Sequence, residues 1–407
     1  MFSDRFETRL PASLANLSNA QRNSLGGVGG GVRLLASPTL KFNERWFAHA
    51  TFQVNTQPFF PYEAYHVERP LARGRLIQGY VGYTRSAKSQ TVTVKAGQMI
   101  TAFGDFARRY SDTANPLIDM PQAYGSYLLL RPDELPCTNF DLQHQQRVHP
   151  NISAYHCAPW ETYSYGILPV SPYGVFGAEV DWNVGKWDAR FQLSNSSPAN
   201  PQSVFSRDQS PQWAAGLGFS GIPGLRLAAS FFRGEWLSGK GREQARACPR
   251  GEKVCRCRQS SGQGVDVQYA RGRFSWSGEW MRLEYRYPGF SRPPRVQYAY
   301  VETKVILTPR LYVASRIGGQ WHGRVMADGS GHAHALVNPA ADPSVEPFQP
   351  NKQAYEVAVG FRPTRHFLFK VGQQWVRRSE NFGPRDDVFA IQMVTSLPDI
   401  WKGFSKN

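Results

Sequence analysis

Residues 176–194 read FGAEVDWNVGKWDARFQLS, and the pattern in this stretch decides the fold. Every second residue from Phe176 to Trp182 is apolar or small, and the alternation resumes after the turn at Val184-Gly185 and continues to Leu193. A period of two residues places apolar side chains on one face of a strand and polar side chains on the other. The stretch therefore predicts an antiparallel hairpin with one apolar and one polar face.

The same alternation extends from about residue 32 to residue 397, and the connections between the strands alternate in length. Short turns fall near Asn43-Glu44, Ala87-Lys88, Val184-Gly185, Ile222-Pro223, Arg271-Gly272, Thr308-Pro309 and Thr364-Arg365. Long connections lie at about 56–73, 100–160, 197–210, 237–258, 288–294, 321–352 and 378–385. Short turns on one side and long loops on the other are typical of bacterial outer-membrane barrels, whereas a sandwich mixes lengths at both ends.

The number of strands follows from these connections. Seven short-turn hairpins and a last strand near 386–397 give about fifteen spans, whereas bacterial barrels have an even number. A further strand is therefore expected before residue 32, either at residues 4–14, followed by a loop from Ser18 to Gly31, or upstream of Met1. The prediction is an all-β fold, a transmembrane antiparallel β-barrel of about sixteen strands. It forms one domain over residues 1–407, with an N-terminal strand and loop at 1–31 and a long inward-folding loop at 100–160.

Composition agrees with a barrel and excludes other classes. No stretch approaches the roughly 18 consecutive apolar residues of a membrane-spanning helix. The net charge of +16 is spread from end to end rather than gathered in a basic run, so no nucleic-acid partner is expected. Aromatic residues collect beside the short turns and predict a girdle at the lipid interface: Phe42, Trp46, Tyr83, Trp182, Trp187, Phe219, Phe274, Trp276, Phe361 and Phe367.

The chain start and the cysteines bear on the compartment. Met1 is followed by polar residues without the apolar core of a signal peptide, so we expect a processed or truncated start for a protein of the bacterial outer membrane. The five cysteines all fall in predicted loops. Cys137 and Cys157 are a candidate disulfide, and Cys248 is a candidate partner for Cys255 or Cys257; free thiols are the alternative.

Motifs for enzymatic chemistry are weak. Gly26–Gly31 precedes a strand, whereas a nucleotide-binding loop follows one. Histidines at 144, 149, 156, 322, 332 and 334 lack the paired spacing of a structural zinc site. The chain carries neither a Gly-x-Ser-x-Gly elbow nor a His-Glu-x-x-His helix. We therefore expect no enzyme, no metal and no cofactor.

The segment 90–110, QTVTVKAGQMITAFGDFARRY, leads into a long arginine-bearing loop. With Gly97-Gln98 followed by Phe103-Gly104, it resembles the phosphate-selective porin O/P-like family, although Ala102 stands where the family usually has proline. The resemblance implies a homotrimeric channel whose loop at 100–160 narrows the lumen. Arg108, Arg109 and Arg131 are the candidate constriction residues, because guanidinium groups stay charged and bind oxyanions with two parallel hydrogen bonds.

Strand parity predicts which basic side chains line the lumen. Lys95, Arg190, Arg226, Arg316 and Lys370 fall on the polar faces of their strands, which they share with Glu179, Asp181, Asp188 and Glu356. The first functional hypothesis is an outer-membrane porin for passive diffusion of phosphate or of small acidic or sugar-like solutes. The alternatives are a plugged barrel that acts through its outer loops as an adhesin or enzyme, and a soluble sandwich or propeller that binds carbohydrate.

Overall fold

The computed structural model describes residues 2–10, 28–57, 71–128, 130–132, 136, 142, 167–170, 174–195, 211–237, 258–288, 290–327, 347–379 and 387–396. All five cysteines, and the histidines of the loops other than His322, lie outside these residues. The Cys137–Cys157 disulfide therefore stays a prediction.

The described residues form one closed antiparallel sheet of sixteen strands. Its strands are β1 Phe2–Leu10, β2 Val28–Ala36 with its continuation β3 Thr39–Lys41, β4 Trp46–Gln57, β5 Leu71–Ala87, β6 Gln90–Met99, β7 Val175–Val184, β8 Trp187–Ser194, β9 Gln212–Ile222, β10 Leu225–Glu235, β11 Gln259–Arg271, β12 Phe274–Tyr285, β14 Arg295–Thr308, β15 Leu311–His322, β17 Lys352–Thr364, β18 Phe367–Arg378 and β19 Asp387–Thr395. Two short strands, β13 Phe290–Arg292 and β16 Met326–Ala327, pair with each other outside this sheet.

The first strand closes the barrel. On one side β1 pairs with β19, from Phe2 opposite Thr395 to Leu10 opposite Asp387, and on the other side it pairs with β2. Lipid offers no water to an open sheet edge, so every strand of a membrane barrel needs two neighbours. The prediction of a strand before residue 32 is confirmed, with its position at Phe2–Leu10 rather than 4–14.

All seven predicted short turns join neighbouring strands at one end of the barrel, and the long connections lie at the other end. The longest connection runs from Met99 to Val175, so it extends beyond the predicted limit of residue 160. It contains two single-turn helices, α1 Phe106–Arg109 and α2 Gln122–Gly125, and the isolated bridge between Leu128 and Ile167. Neither of these helices, and no other helix in the described ranges, has the length and apolar character to span a membrane.

The outer face of the wall is apolar and carries the predicted girdle. Near the short turns, Trp46 packs against Tyr83 with ring centres 5.0 Å apart, and Trp187 packs against Phe219 at 4.7 Å. Further along the same strands, the exposed residues include the aliphatic Val81 and Leu217 beside additional rings such as Phe52 and Phe191. Rings beside the short turns and a continuous apolar face beyond them form the surface that lipid requires.

The largest buried apolar cluster lies inside the barrel, between the long loop and the wall. Phe103 of the loop meets Phe232 of β10 with ring centres 4.7 Å apart, and Phe106 meets Tyr124 at 5.1 Å. Where the loop packs against the wall, the inward faces of the strands carry apolar residues such as Met281 in place of polar ones. The loop therefore folds inward and packs as part of the molecule, as predicted.

Candidate pore constriction

The loop enters the lumen at Gly104, whose φ of +76° lies in the left-handed region that favours glycine. A Cβ at this position would lie 2.5 Å from Tyr124 Oη, so the close approach also requires glycine. The N–H of Gly104 donates to Ser230 Oγ on β10 at 3.1 Å, and the next N–H, of Asp105, donates to Glu279 Oε1 on β12 at 2.8 Å. These bonds fix where α1 begins.

Helix α1 sends its two arginines to different parts of the wall. Arg108 Nη1 lies 3.1 Å from Glu179 Oε2 on β7. Arg109 Nε donates to Asp105 Oδ2 at 2.9 Å, and its Nη2 donates to Tyr300 Oη on β14 at 3.2 Å. Burial by itself lowers the pKa of the Arg108 guanidinium, but the neighbouring carboxylates of Glu179 and Asp181 raise it above its ordinary value. Both arginines remain charged, and Arg109, with 32 % of its side chain exposed, is the more accessible.

Lys95 joins Arg108 in one ion-pair network on β6 and β7. Its ammonium donates to Glu179 Oε1 at 3.0 Å and contacts Asp181, which lies 3.6 Å from Arg108 Nη2. Two cations here share two carboxylates, so the pairs largely cancel each other in charge.

Arg226 on β10 is the centre of a second network. Its guanidinium lies 2.9 Å from Asp188 and 2.9 Å from Asp266, and 3.5 Å from Asp105 of the loop. Because Asp105 also binds Arg109, this network connects the loop to the wall formed by β8, β10 and β11.

Arg190 on β8 differs from these arginines. Its Nε and Nη2 atoms are buried and have no hydrogen-bond partner within the described part of the chain. The side chain lies against Gly216 of β9, where an added Cβ would be 2.6 Å from Arg190 Nε. Glycine at 216 thus provides the space in which this guanidinium lies.

Lys370 faces inward from β18 but is fully covered by the loop, with 0 % exposure. Its ammonium donates to the backbone carbonyl oxygens of Asp112, Asn115 and Leu117 at 2.7, 2.8 and 3.0 Å. Three carbonyls replace the water that would solvate an exposed lysine, and they bind the loop to the wall.

Arg316 on β15 has the same position relative to the loop and is 4 % exposed. It binds Glu302 at 2.7 Å and Glu356 at 3.1 Å, and donates to the carbonyl oxygen of Asp119 at 3.0 Å. Glu356 in turn accepts the backbone N–H groups of Ile118 and Asp119 at 3.0 and 3.1 Å. We call the contacts of Lys370 and Arg316 with residues 112–119 the latch.

Arg33 and Asp112 extend the latch to β2, and the sequence analysis did not single them out. Arg33 is buried and forms a bidentate pair with Asp112, and its Nη2 also donates to Tyr110 Oη at 2.8 Å. Burial on its own raises the pKa of Asp112, but Arg33 and Lys370 lower it below the ordinary value. The sequence does place Arg33 on the polar face of its strand, and this was the available signal. Its partner Asp112 could not be found in this way, because it lies 79 residues away.

Arg131 lies at a different level from Arg108 and Arg109. Its backbone N–H donates to Tyr287 Oη at 2.9 Å, and that hydroxyl donates back to the Arg131 carbonyl oxygen at 2.8 Å. Tyr287 lies two residues beyond the end of β12, on the side of the long loops. Arg108 and Arg109 therefore lie on one helix inside the lumen but bind different strands, β7 and β14, while Arg131 lies towards the outer rim.

A cavity of about 480 Å³ lies on the short-turn side of the loop. Its walls are the β9–β10 turn, the adjoining ends of β11, β12 and β14, and loop residues Arg109, Ala114 and Pro116. Arg226, Gln268 and Lys304 are among the polar residues that line it. In the described ranges, no group of three or more His, Cys, Asp or Glu side chains is arranged to hold a metal ion.

Comparison with known proteins gives the fold and no closer relative. No family model matches the chain, and no curated protein matches it. Among solved structures, the outer membrane channel DcaP of Acinetobacter baumannii is 9 % identical, with 97 % of this chain and 95 % of DcaP covered and a TM-score of 0.53. Salmonella typhi OmpF in complex with daunomycin is 8 % identical, with 97 % and 96 % covered and a TM-score of 0.54.

Pseudomonas putida OprB is 9 % identical to this chain, with 97 % of this chain and 93 % of OprB covered and a TM-score of 0.56. At such identities the likeness concerns the fold alone. The chain has the fold of outer-membrane porins, while membership of the phosphate-selective family stays a prediction.

Proposed function

We propose that the protein is an outer-membrane channel for passive diffusion of small solutes, with a preference for anions. The observation that carries the proposal is that the loop narrows the lumen while leaving a cavity of about 480 Å³ beside Arg109 and Arg226. An inward loop on a barrel wall restricts what passes, and cationic side chains at a restriction favour anions.

The short-turn end of the barrel supports the anion preference. The seven short turns and the residues within two positions of them carry nine exposed cations and one exposed acid, Glu44. The cations are Lys41, Arg45, Arg85, Lys88, Lys186, Arg271, Arg273, Arg310 and Arg365. A mouth of one charge sign raises the local concentration of the opposite ions, so anions are enriched where the lumen opens. The balanced ion pairs around Arg108 and Arg226 keep the preference mild.

Planar bilayer recordings test this proposal. Across a KCl gradient, we expect a reversal potential of the sign given by chloride permeation, and a smaller one in Arg108→Gln and Arg109→Gln. Arg282→Gln is the matched control, because Arg282 is exposed on the outer face of β12. Correctly folded protein that carries no current contradicts the proposal.

The homotrimer and the phosphate preference implied by the family resemblance belong to the same proposal. Native mass spectrometry of the detergent-solubilised protein tests the first, with a trimer expected. Competition of phosphate against chloride in the bilayer tests the second. A monomer in mild detergent contradicts the homotrimer, and equal permeation of phosphate and chloride contradicts the phosphate preference.

A plugged barrel that works through its outer loops is the second candidate. The observation in its favour is the apolar cluster that joins Phe103, Phe106 and Tyr124 to the wall inside the barrel. Most of the loops at 237–258 and 321–352 lie outside the described residues. Folded protein that carries no current but binds cells or cleaves a substrate favours this candidate over the channel.

A further inference from the structure

We infer that the cavity on the short-turn side of the loop is a binding site for hydroxylated monocarboxylates, that is, for sugar-acid solutes. Its volume of about 480 Å³ falls within the roughly 300–1,000 Å³ of small-molecule pockets. The inference rests on the proposed channel function only in that a solute reaches the cavity through the lumen.

Lys304 supplies the first charge for a carboxylate. It is half-buried in the cavity wall, and it forms no ion pair within the described residues. Its ammonium lies 4.6 Å from the centre of the Tyr312 ring, which orients the cation without neutralising it. A lysine held in this way lacks an anionic partner that a ligand can provide.

Arg109 supplies the second charge from the loop side of the cavity. Its Nε donates to Asp105 and its Nη2 donates to Ser277 and Tyr300, and these bonds fix the plane of the guanidinium. The Nη1 atom makes no hydrogen bond in the described part of the chain. A guanidinium that is already held in place binds an oxyanion with little further loss of side-chain freedom.

The remaining lining favours hydroxyl groups on the ligand. Glu302 also belongs to the wall, but its carboxylate is buried and paired with Arg316, so it does not neutralise Lys304 or Arg109. Ser220, Ser275 and Gln268 also line the cavity, and Ser275 Oγ has no hydrogen-bond partner among the described residues. Hydroxyls of a solute can both donate to and accept from such groups. One carboxylate with several hydroxyls therefore fits this lining.

Calorimetric titration of the folded barrel in detergent tests the inference with three probes of equal chain length. Gluconate carries a carboxylate and hydroxyls, hexanoate carries the carboxylate alone, and sorbitol carries hydroxyls alone. We expect gluconate to bind at least about tenfold more tightly than either of the others, since a charge-assisted hydrogen bond contributes roughly 1.5–3 kcal/mol.

Lys304→Gln is expected to weaken gluconate binding about tenfold by the same reasoning. Lys41→Gln is the matched control, because Lys41 is exposed on β3 at the same end of the barrel and does not line the cavity. Equal binding of gluconate and hexanoate, or an unchanged affinity in Lys304→Gln, overturns the inference. KCl conductance of the same preparation separates the two proposals: a conducting channel that ignores gluconate removes this inference alone, whereas bound gluconate without conductance removes the channel.

Discussion

Lys370 and Lys304 both lie on inward faces of the barrel wall, yet their surroundings differ. Lys370 on β18 is fully covered, and its ammonium is held by three backbone carbonyls of the loop. Lys304 on β14 is half-buried, faces the open cavity and has an aromatic ring rather than a carboxylate beside it. The loop crosses the lumen over one lysine and leaves the other in contact with water.

The difference separates two uses of an inward-facing cation. Where the loop replaces water, the desolvation of the charge is offset only by well-placed partners, and the cation becomes part of the structure. Where water remains, the cation is available to a passing anion. Facing inward is therefore necessary but not sufficient for a role in permeation.

The largest expected effect comes from breaking the latch at Arg316. Arg316→Met leaves Glu302 and Glu356 buried without their cation, and removal of one member of a buried ion pair costs roughly 3–5 kcal/mol. We expect the folded form, which migrates differently from the unfolded form on a gel, to disappear at a lower temperature. We also expect noisier single-channel currents. Arg109→Met, whose arginine faces the cavity, is expected to change stability by no more than about 1 kcal/mol. Equal destabilisation by the two variants contradicts the distinction between latch and cavity.

Lys370→Gln is expected to destabilise the loop by about 2 kcal/mol, because hydrogen bonds to charged groups contribute roughly 1.5–3 kcal/mol. Lys304→Gln is its counterpart and is expected to leave thermal stability nearly unchanged. Circular-dichroism melting of both variants in the same detergent provides the comparison. A Lys304 variant that melts as early as the Lys370 variant assigns the two lysines to one class.

Acid provides a graded way to release the latch. The pKa of Asp112 is lowered in the folded protein, so its stabilising contribution is fully present above its unfolded-state pKa of about 3.9 and is lost as pH falls through the lowered value. We expect the single-channel current to be steady from neutral pH down to about pH 4, and to fluctuate below it. Asp112→Asn should fluctuate at every pH, and a pH profile identical to the wild type removes Asp112 from the latch.

The smallest expected effect on stability belongs to Arg190. Its two buried nitrogen atoms lack acceptors, so Arg190→Gln removes an uncompensated charge and should not lower the melting temperature. The chloride preference should fall, because a cation of the lumen is lost. Arg226→Gln, which leaves Asp188 and Asp266 without their cation, should lower both quantities. Marked destabilisation by Arg190→Gln contradicts the conclusion that the charge of this arginine is uncompensated.

The barrel was predictable because its signals are local. The turn at Val184-Gly185 and the six other short turns were all placed correctly. The even number of strands in bacterial barrels required one further strand, which is found at Phe2–Leu10. The aromatic residues beside the turns, such as Trp46 and Trp187, lie on the outer face as predicted. Each of these features depends on a period of two residues or on a turn a few residues long.

The site was only partly predictable for the opposite reason. Parity placed Arg316 and Lys370 on inward faces, but it did not indicate that residues 112–119 cover them. Arg108 and Arg131 share one loop in the sequence, yet the first meets β7 and the second lies beside Tyr287 at the outer rim. The loop has no period from which its path can be read.

The sequence by itself determined the barrel, its strand number, its lipid-facing surface and the end at which the short turns lie. The tertiary structure decided which inward cations are sealed by the loop and which remain open to the cavity. Strand faces follow from the alternation of neighbouring residues. The course of the loop depends on contacts between residues as far apart as Asn115 and Lys370, separated by 255 positions, and such contacts arise only when the barrel has closed.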